Sequence, residues 1–425
     1  MTGLPARIAA QDILSEVLRR HRPLDAALDA ILPGTLEPRD AGFAHAIASE
    51  TLRRFGQLDT LLHTFIAKMP PPHRSGPTLE ILMAGACELL FLDVAAHAAV
   101  DAANQLAARD KKAVHFKPLI NAALRRISRE GREALAAQDE RLAAPDWLWT
   151  RWRETYGEET ARKIIHAHLA RPPLDILRKN RTLEIPGAQQ LPNGMLRVAE
   201  AGRVEDMPGF AQGAWWVQDF AASLPAHLLG DVRGKTVIDL CAAPGGKTAQ
   251  LAASGAKVIA VEREASRLVR LKANLERLQL SAIVIESDAR DYQPDALAPC
   301  VLLDAPCSAT GTIRRHPDRP WIKSAGDINL CAAGAGELLD AAAEMVAPGG
   351  TLVFAVCSLE PEEGIEQIAA FLRARKDFKR VPVAGSDVFG MRELISAEGD
   401  LRTLPCHMAE QGGMDGFYAA RLRRA

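Results

Sequence analysis

A chain of 425 residues exceeds one ordinary domain, and 48% hydrophobic with 25% charged residues predicts a soluble globular protein of two or three domains. A formal net charge of −1 excludes a global basic field, so any nucleic-acid contact must come from local patches. The seven cysteines are scattered without a C-x-x-C pair, which argues against a zinc site or a disulfide framework and for a reduced, cytoplasmic setting.

The N-terminus lacks the charged start and apolar core of a signal peptide, and no apolar run is long enough to span a bilayer. From Ala6 to about Arg132 apolar residues recur at helical spacing, as in Leu58, Leu61, Leu62, Phe65 and Ile66. Residues 1–135 are therefore predicted to form a helical domain, punctuated by Pro33-Gly34 and Pro70-Pro71-Pro72. Arg125, Arg126, Arg129 and Arg132 fall near one face of its last helix, either a solvated face or a phosphate contact. Residues 136–217 begin as linker helices carrying Trp147, Trp149 and Trp152. His166 and His168 are two apart and so point to different sides of a helix, which argues against a metal site. A small strand-rich unit, expected to bind RNA, follows from Pro172 to about Trp216, opening on a basic cluster of Arg178, Lys179 and Arg181 that is either a contact for a polyanion or a charged loop.

From residue 218 to 425 strands and helices alternate. Strands are predicted near 236–240, 257–262, 282–286, 300–305, 351–357 and 417–422. The pattern is α/β: a doubly wound, mostly parallel, Rossmann-like sheet, whose ligands bind beyond the C-terminal strand ends. The first strand runs into Cys241-Ala242-Ala243-Pro244-Gly245-Gly246-Lys247-Thr248, a tight turn opening a helix. Its adjacent glycines rule out a Walker loop. Glu262 ends the next strand, where a carboxylate pairs with a ribose diol, and Asp288 lies where an adenine amino group is expected. Together these predict an adenosine cofactor without a diphosphate.

Cys307 and Cys357 end two strands on this ligand edge, with Asp304 beside them. Cys87, Cys300 and Cys331 read instead as inert small hydrophobes. Thiolates are soft nucleophiles that add to electron-poor ring carbons.

Three stretches carry a family resemblance. Asp239 to Thr248 resembles motif I of the RNA 5-methylcytosine methyltransferases, Leu303 to Pro317 resembles their motif IV in its bacterial RsmB form, and Ala355 to Glu363 resembles motif VI. The helical region is similar to a NusB-like RNA-binding domain. The resemblance implies S-adenosylmethionine bound by Cys241 to Lys247, Glu262, Asp288 and Asp304. It implies Cys357 as the nucleophile that adds to carbon 6 of a cytosine, and Cys307 as the thiol that assists removal of the carbon 5 proton and release. Asp304 would hydrogen-bond the cytosine ring, with Lys247 bordering the same pocket. The expected substrate is RNA, 16S rRNA above all, with the chain acting as a monomer without metal or membrane. Val356 stands where the family usually has Thr, and Gly364 where it often has Asn. The helix expected from Leu330 opens on an alanine- and glycine-rich stretch where a polar start is more usual.

Competing readings remain at this stage. An amino-group methyltransferase would carry Asp/Asn-Pro-Pro-Tyr/Phe in place of Asp304-Ala305-Pro306-Cys307. A DNA cytosine methyltransferase would not need Cys357. A non-catalytic RNA-binding or assembly factor would not need either thiol.

Overall fold

The computed structural model describes every residue except Met1, Thr2, Thr35, Arg181 and Glu200. Two compact units result: residues 1–169 with Ile313–Ser324, and residues 170–312 with 325–425.

The first unit is helical. Leu58, Leu61 and Leu62 lie on one face of the helix Phe55–Phe65 and are fully buried against Ile81, Leu82, Leu124 and Ile127. The helix Thr78–Phe91 is buried along nearly its whole length and forms the centre of this core. A buried charge on it, Glu88, is matched by Arg7, whose Nε donates at 2.9 Å. The stretch expected to be a linker forms the helices Asp146–Tyr156 and Glu158–Leu169, which pack into the same unit through buried Trp149 and Trp152. His168 is buried, and its pKa is pushed down to about 3 by burial first and then by Arg314 and Arg53. His166 is exposed beside Glu140 at 3.1 Å, so the two histidines point apart. On the helix Lys117–Ala136, Arg126 pairs with Glu130 at 2.9 Å and Arg132 with Asp93 at 3.2 Å, both at the surface.

The return of residues 313–324 to this unit is fixed by specific bonds. Arg53 Nη1 donates to the Arg314 carbonyl at 2.8 Å, the Leu24 N–H donates to Asp318 at 3.0 Å, and Trp321 Nε1 donates to the Leu52 carbonyl at 2.8 Å.

The second unit holds two sheets. β1 (Leu174–Arg178), β2 (Gln189–Gln190), β3 (Leu196–Val198) and β4 (Trp215–Val217) make a small antiparallel sheet in the order β2-β3-β1-β4. Its buried Arg197 pairs with Asp175 at 2.6 Å and donates to the carbonyls of Gln411 and Gly413, both at 2.8 Å. The basic cluster at its start is partly committed to structure. Arg178 donates to the carbonyls of Leu183 and Gly194, and Lys179 to that of Leu278. These two side chains therefore brace loops rather than stand ready for a polyanion; Arg181 lies outside the described residues.

The large sheet is built from β5 (Thr236–Leu240), β6 (Lys257–Glu262), β7 (Ile283–Glu286), β8 (Ala298–Asp304), β9 (Val346–Val356), β10 (Phe378–Arg380), β11 (Leu401–Thr403) and β12 (Phe417–Arg424). Its order is β10-β12-β9-β8-β5-β6-β7, with β11 on β12. β5 to β9 pair in parallel, and β12 runs antiparallel to β9. Both faces are covered, which is why these strands are continuous apolar runs. Val237, Leu302 and Val353 face one core, while Ile238, Leu303 and Phe354 face the other. The strand order reverses between β5 and β8, the switch point at which such sheets bind ligands.

Candidate active site

The register of the ladder gathers the functional residues. Leu240 lies opposite Val261 and Leu303, and Asp304 opposite Ala355. Cys241, Glu262, Asp304 and Cys357 thus leave the sheet on one edge.

The motif I turn is held from several sides. The Ala242 N–H donates to the Val261 carbonyl at 3.1 Å. Asn274 donates to the Pro244 carbonyl at 2.9 Å, and Arg267 to that of Ala243. Gly245 has φ +102°, the left-handed region that favours glycine, and a Cβ there would press on the end of the Leu271 side chain. The helix Gly246–Ala253 starts directly after it. Thr248 ties this helix back to β5 by donating to the buried Asp239 at 2.5 Å, whose pKa burial pushes up to about 7.

Beside the turn is a cavity of about 290 Å³, lined by Cys241, Glu262, Asp288, Pro306, Leu330 and Leu338 among others. Glu262 is only 3% exposed and accepts the backbone N–H groups of Ala243 at 3.3 Å and Glu264 at 3.0 Å. Glu262 is thus a buried acceptor and not an acid solvated at a strand end. Asp288 is gripped by Arg290 at 2.7 Å, which holds its pKa down to about 2. The three arginines on the wall are matched by acids: Arg263 by Asp288, Arg267 by Glu262, and Arg290 by Asp288 and Glu337. Apolar walls with three carboxylates, Glu262, Glu264 and Asp288, and no unmatched arginine pair suit an adenosine with a sulfonium better than a diphosphate. Burial first, then Glu262 and Asp304, push the Cys241 thiol up to about 12, so it serves as wall and not as nucleophile.

The helix expected from Leu330 in fact spans Ala325–Glu344. Its alanine- and glycine-rich stretch is therefore mid-helix, and Leu330, Cys331 and Gly334 form part of the cavity wall. Small residues there leave room for a ligand. Cys331 was expected in a core and lies on this wall instead. Arg267, on the helix Ala265–Leu278, and Arg290, in the turn after β7, escaped the sequence reading because a surface arginine carries no signal of its own.

Lys247 donates to Asp304 at 2.7 Å, and its ammonium lies 5.1 Å from the Phe417 ring centroid. Burial alone would lower the Lys247 pKa, but the Asp304 carboxylate outweighs it and the net shift is upward. Lys247 is thus a fixed cation.

Cys307 and Cys357 meet with their sulfurs 3.4 Å apart. The Cys307 thiol is held well above its ordinary pKa, first by its hydrogen bond with Cys357 and then by burial. The Val356 side chain is fully buried in β9, opposite Tyr418. A Cβ on Gly364 would stand 3.0 Å from the Tyr418 ring, a tight contact that a larger residue could make only if the ring gave way. Among the described residues no group of three His, Cys, Asp or Glu could hold a metal ion, and no helix is long and apolar enough to cross a membrane.

Comparison with known proteins adds to this geometry. Residues 226–423 match the model of the 16S rRNA methyltransferase RsmB/F family, and residues 4–129 match the NusB family. Ribosomal RNA small subunit methyltransferase B of Pseudomonas putida is 38% identical, covering 98% of both chains. The chain belongs to the RsmB/F family. The enzyme of the same name from Vibrio cholerae is 34% identical over 98% of this chain and 97% of its own. The crystal structure of PH0851 shares the fold, with a TM-score of 0.75 at 22% identity over 98% of this chain and 99% of that one. RsmB/F proteins are S-adenosylmethionine-dependent rRNA methyltransferases, and S-adenosylmethionine is the cofactor of this chain. The Rossmann-like sheet and the NusB-like helical region agree with the sequence reading.

Proposed function

We propose that this chain methylates carbon 5 of a cytosine in RNA, with 16S rRNA as its substrate, through a covalent bond from Cys357 to carbon 6. The observation that carries this reading is the pair of sulfurs 3.4 Å apart at the strand edge that also holds Asp304 and Lys247. Amino-group transfer requires no thiol, and a non-catalytic factor requires none of the four.

Carbon 5 of cytosine is too weak a nucleophile to be methylated directly, and thiolate addition at carbon 6 turns it into an enamine. S-adenosylmethionine, held by Cys241 with Ala242, Ala243, Pro244, Gly245, Gly246 and Lys247, and by Glu262, Asp288 and Asp304, supplies the electrophilic methyl group. Asp304 accepts from the cytosine amino group, and Lys247 beside it offsets the charge that grows toward nitrogen 3. Cys307 keeps its proton while Cys357 is a neighbouring sulfur anion. Once Cys357 is a neutral thioether, that hold on the Cys307 proton is gone. Cys307 releases it to water, takes the carbon 5 proton as a thiolate, and the carbon 5–carbon 6 double bond re-forms as Cys357 leaves as a thiolate. The exposed Arg125, Arg126, Arg129 and Arg132 offer the RNA a phosphate-binding face on the NusB-like domain.

Bisulfite sequencing of 16S rRNA from cells lacking the chain should reveal a cytosine that has lost its protection. Wild-type protein should restore it, and Cys357→Ala should not. An unchanged protection map would refute the substrate assignment.

Glu262→Ala should weaken S-adenosylmethionine binding by about 1.5–3 kcal/mol, the scale of a charge-assisted hydrogen bond. It should also lower the melting temperature of the cofactor-free protein, because the N–H groups of Ala243 and Glu264 lose their acceptor. Calorimetric titration with unchanged affinity would remove Glu262 from the cofactor site.

A further inference from the structure

The two cysteine loops share one buried carboxylate. Glu363 is fully buried and ends the short helical turn Pro361–Glu363 that follows Cys357. One of its oxygens accepts the Ser308 backbone N–H at 2.7 Å. The other accepts the Ser308 hydroxyl at 2.6 Å and the Ser358 hydroxyl. Ser308 directly follows Cys307, and Ser358 directly follows Cys357. Around this centre the Leu359 N–H donates to Thr310 at 3.0 Å, the Glu360 N–H to the Ser358 hydroxyl at 3.0 Å, and the Gly311 N–H to the Cys357 carbonyl at 3.0 Å.

The sheet by itself does not set the distance between the sulfurs. Cys357 directly follows β9, but Cys307 lies three residues past the end of β8. Parallel pairing stops at Asp304 and Ala355, and one further bond, from the Ala305 N–H to the Ala355 carbonyl, closes the ladder. Beyond that point the Cys307 loop needs another anchor. A buried carboxylate is expensive unless it collects donors, and this one collects three, drawn from both loops.

We propose that Glu363 is the positioning residue of the thiol pair: by clamping Ser308 and Ser358 it holds Cys307 and Cys357 at working distance. It acts through the two serines, and the proposal rests on the reading that both thiols serve one cytosine.

Sulfur proximity can be measured without RNA or cofactor. Diamide takes two electrons and two protons from a pair of thiols, becoming a hydrazine while the disulfide forms. The full chain is treated with diamide, and the Cys307–Cys357 linkage is followed by mass spectrometry of the linked peptides. The wild-type pair should close readily. Glu363→Ala should slow closure about tenfold, the scale of losing charge-assisted hydrogen bonds. Glu363→Gln should stay within about twofold of wild type, since its carbonyl accepts the Ser308 N–H while its amide donates to the two hydroxyls, which can rotate to accept. Methylation should follow the same order, with kcat falling in Glu363→Ala, little change in KM for RNA, and recovery in Glu363→Gln. If Glu363→Ala does not fold, Ser358→Ala removes one arm of the clamp and should slow closure about threefold.

Closure at the wild-type rate in Glu363→Ala, or in Ser358→Ala where the former does not fold, overturns the proposal. So does a wild-type pair that does not close. Failure of the covalent mechanism looks different: Cys357→Ala would remain active while the closure rates kept their order.

Discussion

Cys357→Ala should methylate no RNA, a loss of about 10³-fold or more, and Cys307→Ala should hold RNA in a complex that survives denaturant. The asymmetry follows from the order of steps. Addition at carbon 6 must precede methyl transfer, and elimination must follow it. Without Cys357 no addition occurs. Without Cys307, Cys357 still adds and the methyl group still moves, but the carbon 5 proton stays and the thioether cannot leave. Cys307→Ala also removes the hydrogen-bond partner 3.4 Å from the Cys357 sulfur, so the rate of adduct formation should change while the adduct still accumulates. A denaturing gel with labelled RNA and S-adenosylmethionine reads the result directly. Adduct trapped in Cys357→Ala would make Cys307 the nucleophile. Activity in both variants with no adduct in either would remove covalent catalysis.

Much of this site was legible because the chemistry sits where the sequence pattern is strongest. β5, β6 and β8 are apolar runs buried on both faces, and each ends in the residues that form the site. Their spacing was enough to place Cys241, Glu262 and Asp304 on one edge. β10 and β11 were not foreseen, since three residues such as Phe378-Lys379-Arg380 carry no periodicity and exist as strands only through β12. The return of residues 313–324 to the helical unit was equally hidden. It depends on carbonyls and on Asp318 meeting distant partners, and hydrophobic patterning does not register such bonds. Glu363 shows the same limit within the site. Next to Glu362 in sequence it is one of two adjacent acids, and only the packing reveals which of them gathers three donors.

Asp304→Asn and Lys247→Met should each lower kcat by about 10²-fold, and the double variant should lose little more than either single one. The two side chains form a single element: a carboxylate at the cytosine edge with its counter-ion 2.7 Å behind it. In Lys247→Met the carboxylate loses its hydrogen-bond donor and counter-ion, so it is held less firmly against the cytosine amino group. In Asp304→Asn the Lys247 ammonium remains in a site where its side chain is only 10% exposed, held by the Phe417 ring and by the weaker fields of Cys357 and Asp239, its hydrogen-bonded carboxylate gone. Burial then loses its largest opposition and the ammonium should titrate at lower pH. The sign of the pH effect follows. A cation whose pKa has fallen is lost as pH rises, so the residual activity of Asp304→Asn should decline on the alkaline side earlier than that of wild type. Lys247→Met has no such group and should lack that added limb. Steady-state methylation of the RNA substrate across pH, with the two single variants and the double variant, supplies the cycle. Losses that multiply in the double variant would show that Asp304 and Lys247 act separately, and an unshifted alkaline limb in Asp304→Asn would show that Lys247 does not depend on Asp304 for its charge.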